Sequence, residues 1–312
     1  MGMLNALTDR AASLFSKGVS RDAAPVVDAS VQSTAAQLSD RLALAAHRDG
    51  ALFASDGQAI AYRTTEVSGK PKAVFVMQQG TLGKPEYFDA MGEQLSQKGI
   101  KSYAVGSRTE APSFHQHADD LQQVVAQAQK ENPGVPVTVG GVSLGSMIAL
   151  DWSARHNAAQ LPVVAMAPVV ANKFLGLKDS LRVGLGLIDK KAQKSLVDTP
   201  MSAGVPLTTN PASPEFALTG AKDLKVPAGL FDDVAKMAGD VALKGRSMQG
   251  PLLIAMGGKD QVAVNGVSKL YAHLIGSKAM TVKTFPGVAH DMSQETNHPE
   301  LVQSLQNFIL QQ

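Results

Sequence analysis

The 312-residue sequence contains no cysteine. Disulfides, thiolate nucleophiles and cysteine-based metal sites are therefore excluded, while the compartment stays open. No apolar run approaches the roughly 20 residues that a membrane span needs. The N-terminus also lacks the continuous apolar core of a signal peptide. The cytoplasm is the expected location, with export through a non-classical N-terminal signal as the alternative. Neither sign of charge dominates: 29 Lys and Arg face 27 Asp and Glu, a net charge of +2. No nucleic-acid partner and no strong pull toward an anionic surface are expected. The hydrophobic fraction of 44% is ordinary and sufficient for a sizeable core. This length suits one large α/β domain or two small ones.

Residues 1–48 read as an N-terminal extension, helical or partly disordered. Leu4, Leu7, Ala11, Leu14 and Phe15 fall at helical spacing. Residues 23–40 are rich in Ala, Ser, Gln and Val. The functional alternative for this segment is peripheral contact with a membrane, a lipid or a partner. Residues 49–312 read as the main domain. Strand-like 51–55, the turn Asp56-Gly57 and strand-like 58–64 predict a hairpin. Strands are then predicted at 73–77, 100–105, 137–139, 161–167, 252–256 and 280–285. Helices are predicted between them, around 87–98, 118–130 and 267–275, with a last one at 301–310. This alternation predicts a mostly parallel sheet flanked by helices. Residues 169–248 lose the rhythm and read as an inserted helical cap, with Leu175 to Ile188 apolar and helix again over 230–243.

One stretch carries the chemistry. A β-branched run at 137–139 leads into Gly141-Val142-Ser143-Leu144-Gly145 and then into good helix formers. Strand, G-x-S-x-G, helix is the order of a nucleophile elbow, in which a sharp turn lifts a serine hydroxyl clear of its backbone. A serine hydroxyl needs a base, and that base needs an orienting carboxylate. Catalytic groups gather at the carboxyl ends of parallel strands. Asp260 and His290 each lie just past a predicted strand downstream of Ser143, in the chain order Ser, Asp, His.

A second constellation competes for attention. His115-Gln116-His117-Ala118-Asp119-Asp120 comes one residue short of an H-x-H-x-D-H metal signature. Asp120 stands where the third histidine belongs, and acidic residues favour a helix start. The segment therefore reads as the opening of a helix, and neither a metal nor another cofactor is expected.

These residues resemble the three catalytic blocks of the α/β-hydrolase superfamily: 141–145, Gly257-Gly258-Lys259-Asp260, and Phe285-Pro286-Gly287-Val288-Ala289-His290. Within it, the chain is similar to the monoacylglycerol lipase and lysophospholipase group, with Gly80, the 99–105 strand, the 114–121 helix and Glu295 as further matches. The resemblance covers roughly 50–312 and implies the α/β-hydrolase fold. It implies a catalytic triad of Ser143, His290 and Asp260, with an oxyanion hole from the backbone N–H groups of Leu144 and Thr81. Two departures stand out. Gln79-Gly80 replaces the family's His-Gly, and 106–109 replaces its D-x-R-G-H-G loop. The function expected is a serine hydrolase cleaving lipid-like carboxylic esters, such as monoacylglycerols, lysophospholipids or medium-chain acyl esters. A thioesterase or acyltransferase with the same triad, and a non-catalytic binding protein, are the alternatives.

Overall fold

The computed structural model describes residues 46–312, except 109–112, 114, 158, 172, 174–195, 222, 246–247, 276 and 278. All of these belong to one compact unit, residues 43–312. The N-terminal helical reading and the apolar stretch at 175–188 lie outside the described residues.

The sheet begins with a hairpin. β1 (His47–Phe53) and β2 (Ala59–Thr65) are antiparallel, with His47 opposite Thr65 and Phe53 opposite Ala59. The Asp56-Gly57 turn closes it, and Gly57 adopts φ +81°. The first strand starts two residues before the domain boundary read from the sequence. From β3 (Ala73–Gln78) onward the chain alternates strand and helix. α1 (Asp89–Ser96) precedes β4 (Ile100–Val105), α2 (Gln116–Glu131) precedes β5 (Val137–Val142), and α3 (Leu144–His156) precedes β6 (Val163–Met166).

Between β6 and β9 the chain leaves the main sheet. This segment holds β7 (Leu196–Asp198), α4 (Pro214–Ala217), β8 (Lys225–Pro227) and α5 (Gly229–Lys244). β7 and β8 pair with each other, so a small two-stranded sheet accompanies the expected helices. β9 (Leu252–Gly257), α6 (Asn265–Ile275), β10 (Met280–Phe285) and α7 (Pro299–Leu310) complete the core. The eight-stranded order is β1-β2-β4-β3-β5-β6-β9-β10, parallel from β4 to β10. Eight strands flanked by helices in this order form the α/β-hydrolase fold.

The central strands are apolar at nearly every position because both sheet faces are covered. Successive side chains point to opposite faces. Val74 and Val76 of β3 pack with Leu121 and Val124 of α2 and Ile148 of α3. Phe75 and Met77 pack on the other face with Met91 and Leu95 of α1 and Leu301 and Leu305 of α7. The edge strands β1 and β10 lack full cover, and their burial alternates instead. Two layers of helix thus clamp the sheet and fix the carboxyl ends of β3, β5, β9 and β10 along one rim.

Candidate active site

Ser143 stands between β5 and α3 with φ +56° and ψ −123°. Such a backbone costs a non-glycine residue on the order of 1–3 kcal/mol and persists only where its surroundings hold it. They do: the Ser143 N–H donates to Met166 O at 2.9 Å, and Ser146 Oγ donates to Ser143 O at 2.6 Å. The flanking glycines are sterically required. A Cβ on Gly141 would lie 2.0 Å from Gly145 O, and one on Gly145 would lie 2.2 Å from Gln78 O. Backbone from two strands and a helix crosses here with no room for a methyl group.

His290 and Asp260 reach the same point. His290 Nε2 lies 2.8 Å from Ser143 Oγ, and His290 Nδ1 lies 2.8 Å from Asp260 Oδ2. The second Asp260 oxygen, Oδ1, accepts the N–H groups of Val262 at 2.7 Å and Ala263 at 2.9 Å. Burial alone would raise the Asp260 pKa. The charge and hydrogen bond of His290, with the two backbone N–H groups, outweigh that and hold it below the usual carboxylate range. Both side chains are buried, Asp260 at 3% exposure and His290 at 3%. The loop approach is tight, since a Cβ on Gly257 would lie 2.2 Å from Ala289 O.

Leu144 opens α3, so its N–H has no acceptor within the helix and lies at the helix's positive end. Thr81 and Leu144 line one cavity with Ser143 and His290. Gly80 brings the Thr81 loop against the serine: a Cβ there would sit 3.2 Å from Ser143 Cβ. Behind it, Gln79 is fully buried, and its amide oxygen and nitrogen have no hydrogen-bond partner among the described residues. The cavity opens to solvent. Met201, Leu207, Leu230, Phe231 and Val234 make most of it apolar.

Two buried acids in this wall escaped the sequence reading. Glu215, at the start of α4, and Asp291, next to His290, both line the cavity. Burial, then the charge of Asp291 and a hydrogen bond with it, push the Glu215 pKa well above the ordinary carboxyl range. The only local signal at Glu215 was capping: Ser213 Oγ accepts the Glu215 N–H at 3.2 Å, with Pro214 opening the helix. Glu295 is fully buried and accepts from Thr209 N–H at 2.6 Å and Ala289 N–H at 3.1 Å.

The histidine-rich segment does not converge on one point. His115 Nδ1 lies 3.0 Å from Asp151 Oδ2, and its Nε2 lies 3.2 Å from Asp240 Oδ2. Asp119 pairs with His156, and Asp120 with Arg108. His117 is buried, and desolvation followed by the Arg108 charge lowers its pKa to about 4. His115, Asp151 and Asp240 offer ligand atoms within 4.8 Å of one another. Both imidazole nitrogens of His115 thus lie within hydrogen-bond reach of a carboxylate.

Residues 69–297 match the family described as serine aminopeptidase, S33. The chain is 20% identical over 263 residues to a monoacylglycerol lipase of Mycolicibacterium smegmatis, covering 81% of this chain and 94% of that one. It is 26% identical over 280 residues to the human monoglyceride lipase, covering 81% and 86%. In three dimensions it is similar to a soluble variant of the Saccharomyces cerevisiae monoglyceride lipase, with a TM-score of 0.67 at 14% identity, covering 86% and 94%. With the eight-stranded sheet and the strand–serine–helix turn, the match over 69–297 identifies this chain as a member of the serine aminopeptidase S33 family with the α/β-hydrolase fold.

Proposed function

We propose that the chain hydrolyses lipid-like carboxylic esters through an acyl-enzyme on Ser143. That it is a carboxylic ester hydrolase follows from its lipase relatives. One observation supports the assignment of roles most strongly. A continuous hydrogen-bonded chain runs from Ser143 Oγ through His290 to Asp260, at the rim of a largely apolar cavity.

In this reading Ser143 Oγ attacks the acyl carbon and His290 Nε2 takes its proton. Asp260 fixes the imidazole by its Nδ1 and stabilises the positive charge that forms. The N–H groups of Leu144 and Thr81 receive the oxyanion, each supplying about 3 kcal/mol to the transition state. His290 then gives its proton to the departing alcohol. It next activates a water that releases the acid. The cavity's apolar wall suits an acyl chain. Monoacylglycerols, lysophospholipids and medium-chain esters are the substrates this wall favours. A thioester, or acyl transfer to another acceptor, would run on the same groups.

Two measurements test the proposal. A fluorophosphonate should label the folded protein, and Ser143→Ala should abolish the labelling. On p-nitrophenyl esters of increasing acyl length, Ser143→Ala should lower kcat about a millionfold. Wild type with no labelling and no turnover across the panel would sink the assignment.

A further inference from the structure

The segment 78–84 lines two cavities. Gly80, Thr81 and Leu82 face the catalytic one, while Gln78, Gly83 and Lys84 face another. No described residue lines both. Ser107 and Arg108, just past β4, and His117 and Asp120, in the first turns of α2, close the second cavity. Its walls are tied together: Gln78 Nε2 donates to Gly106 O at 3.1 Å, and the Ser107 N–H donates to Gly83 O at 3.0 Å. The cavity is therefore formed before any ligand arrives.

The acceptors in this cavity are already engaged. Asp120 Oδ2 accepts from Arg108 Nε at 2.8 Å, and its Oδ1 accepts from Gln116 Nε2 at 2.9 Å. The other two Arg108 nitrogens donate to Asp56, outside the lining, at 2.8 and 3.3 Å. The groups left over are donors. His117 is 6% exposed, and its ring has no hydrogen-bond partner among the described residues. Desolvation keeps it neutral, so it offers one N–H. The Lys84 ammonium and the Ser107 hydroxyl also have no partner among the described residues. A polar group buried without a partner is unfavourable until something satisfies it. Of the charged side chains in the lining, Lys84 and Arg108 are cations and Asp120 is the one anion. Ile60 and Val105 supply apolar surface beside them. We propose that this cavity is a second ligand site, for a small monocarboxylate whose oxygens accept from His117, Ser107 and Lys84 and whose short apolar stem lies against Ile60 and Val105. The inference goes beyond the ester-hydrolase reading and does not depend on it. An occupant would bear on Gln78 and Gly83, which flank the residues that line the catalytic cavity.

The test titrates sodium butyrate into the full chain labelled with carbon-13 at the histidine Cε1 positions, and follows the seven histidine resonances by NMR. The resonance missing from the spectrum of His117→Asn should shift and saturate. Lys84 is exposed, so Lys84→Met should fold, and it should raise the Kd about fivefold. Butyramide, with the same stem and no charge, should bind about tenfold more weakly than butyrate. Ser143→Ala should bind butyrate as wild type does, because Ser143 lies in the other cavity. A His117 resonance that stays still, butyramide binding as tightly as butyrate, an unchanged Kd in Lys84→Met, or binding lost in Ser143→Ala would each overturn the site. If His117→Asn does not fold, the Lys84→Met and butyramide comparisons decide, read on whichever histidine shifts, and no shift at all overturns the site.

Discussion

His117 and Asp260 show how burial sets chemistry at a single residue, with opposite signs. Desolvation and Arg108 take the His117 pKa from 6.5 to about 4. The folded state therefore keeps His117 neutral at a pH where the unfolded chain protonates it. Its cost is absent above pH 6.5, grows as the pH falls, and saturates below pH 4 at about 3 kcal/mol. Thermal melts from pH 7 to 4 should show a shallower fall in Tm for His117→Phe than for wild type. Asp260 runs the other way. Its pKa is depressed, so its contribution is present above the unfolded value of roughly 3.9 and is lost as the pH falls through the folded one. Asp260→Asn should leave the fold intact yet lower kcat on the order of ten-thousandfold, because the amide can hold the imidazole in the wrong tautomer. Steady-state kinetics beside a melting curve would separate the two effects.

The decisive element is the β5–turn–α3 unit. It places a strained serine where two glycines let three backbone segments cross. A methyl group 2.0 Å from a carbonyl oxygen cannot be absorbed by a rotamer change. Gly141→Ala and Gly145→Ala should each cost several kcal/mol, more than the roughly 1–3 kcal/mol of ordinary overpacking. Soluble yield and denaturant midpoint would read this, and a midpoint equal to wild type would contradict the crossing. The unit was legible because each part obeys a local rule. The β-branched run reads as strand, the glycine spacing as a turn, and the following residues as helix. β3 and β9 were legible for a similar reason: each is an apolar run of strand length. β7 and β8 were not, since three-residue strands carry too little pattern to register.

Across the whole molecule, the segment between β6 and β9 is stitched to the His290 loop by polar contacts. Glu295 accepts two hydrogen bonds from Thr209, each 2.6 Å, and one from Ala289 at 3.1 Å. Asn210 Nδ2 donates to Gln294 O at 2.9 Å. The cavity's outer wall and His290 are therefore tied to the same loop. Glu295→Ala strands several buried donors, each costing roughly 1–3 kcal/mol. It should lower the unfolding free energy by about 3–5 kcal/mol and reduce kcat. Thr209→Val, which removes only the hydroxyl, should cost about 1–3 kcal/mol. Urea unfolding of both variants checks the order, and equal costs would argue against Glu295 as the anchor.

Local rules in the sequence were enough for the alternating strands and helices, the serine turn, and the strand-end positions of Asp260 and His290. Each is decided by side chains a few residues apart. Tertiary structure alone decided the rest: that Glu215 and Asp291 would line one cavity, that Glu295 would tie Thr209 to Ala289, that Gln79 would be fully buried, and that His115 would bridge Asp151 and Asp240. The reason is physical. A titrating group's partner and charge follow from burial and from distances between segments far apart along the chain, and neither is written in local periodicity.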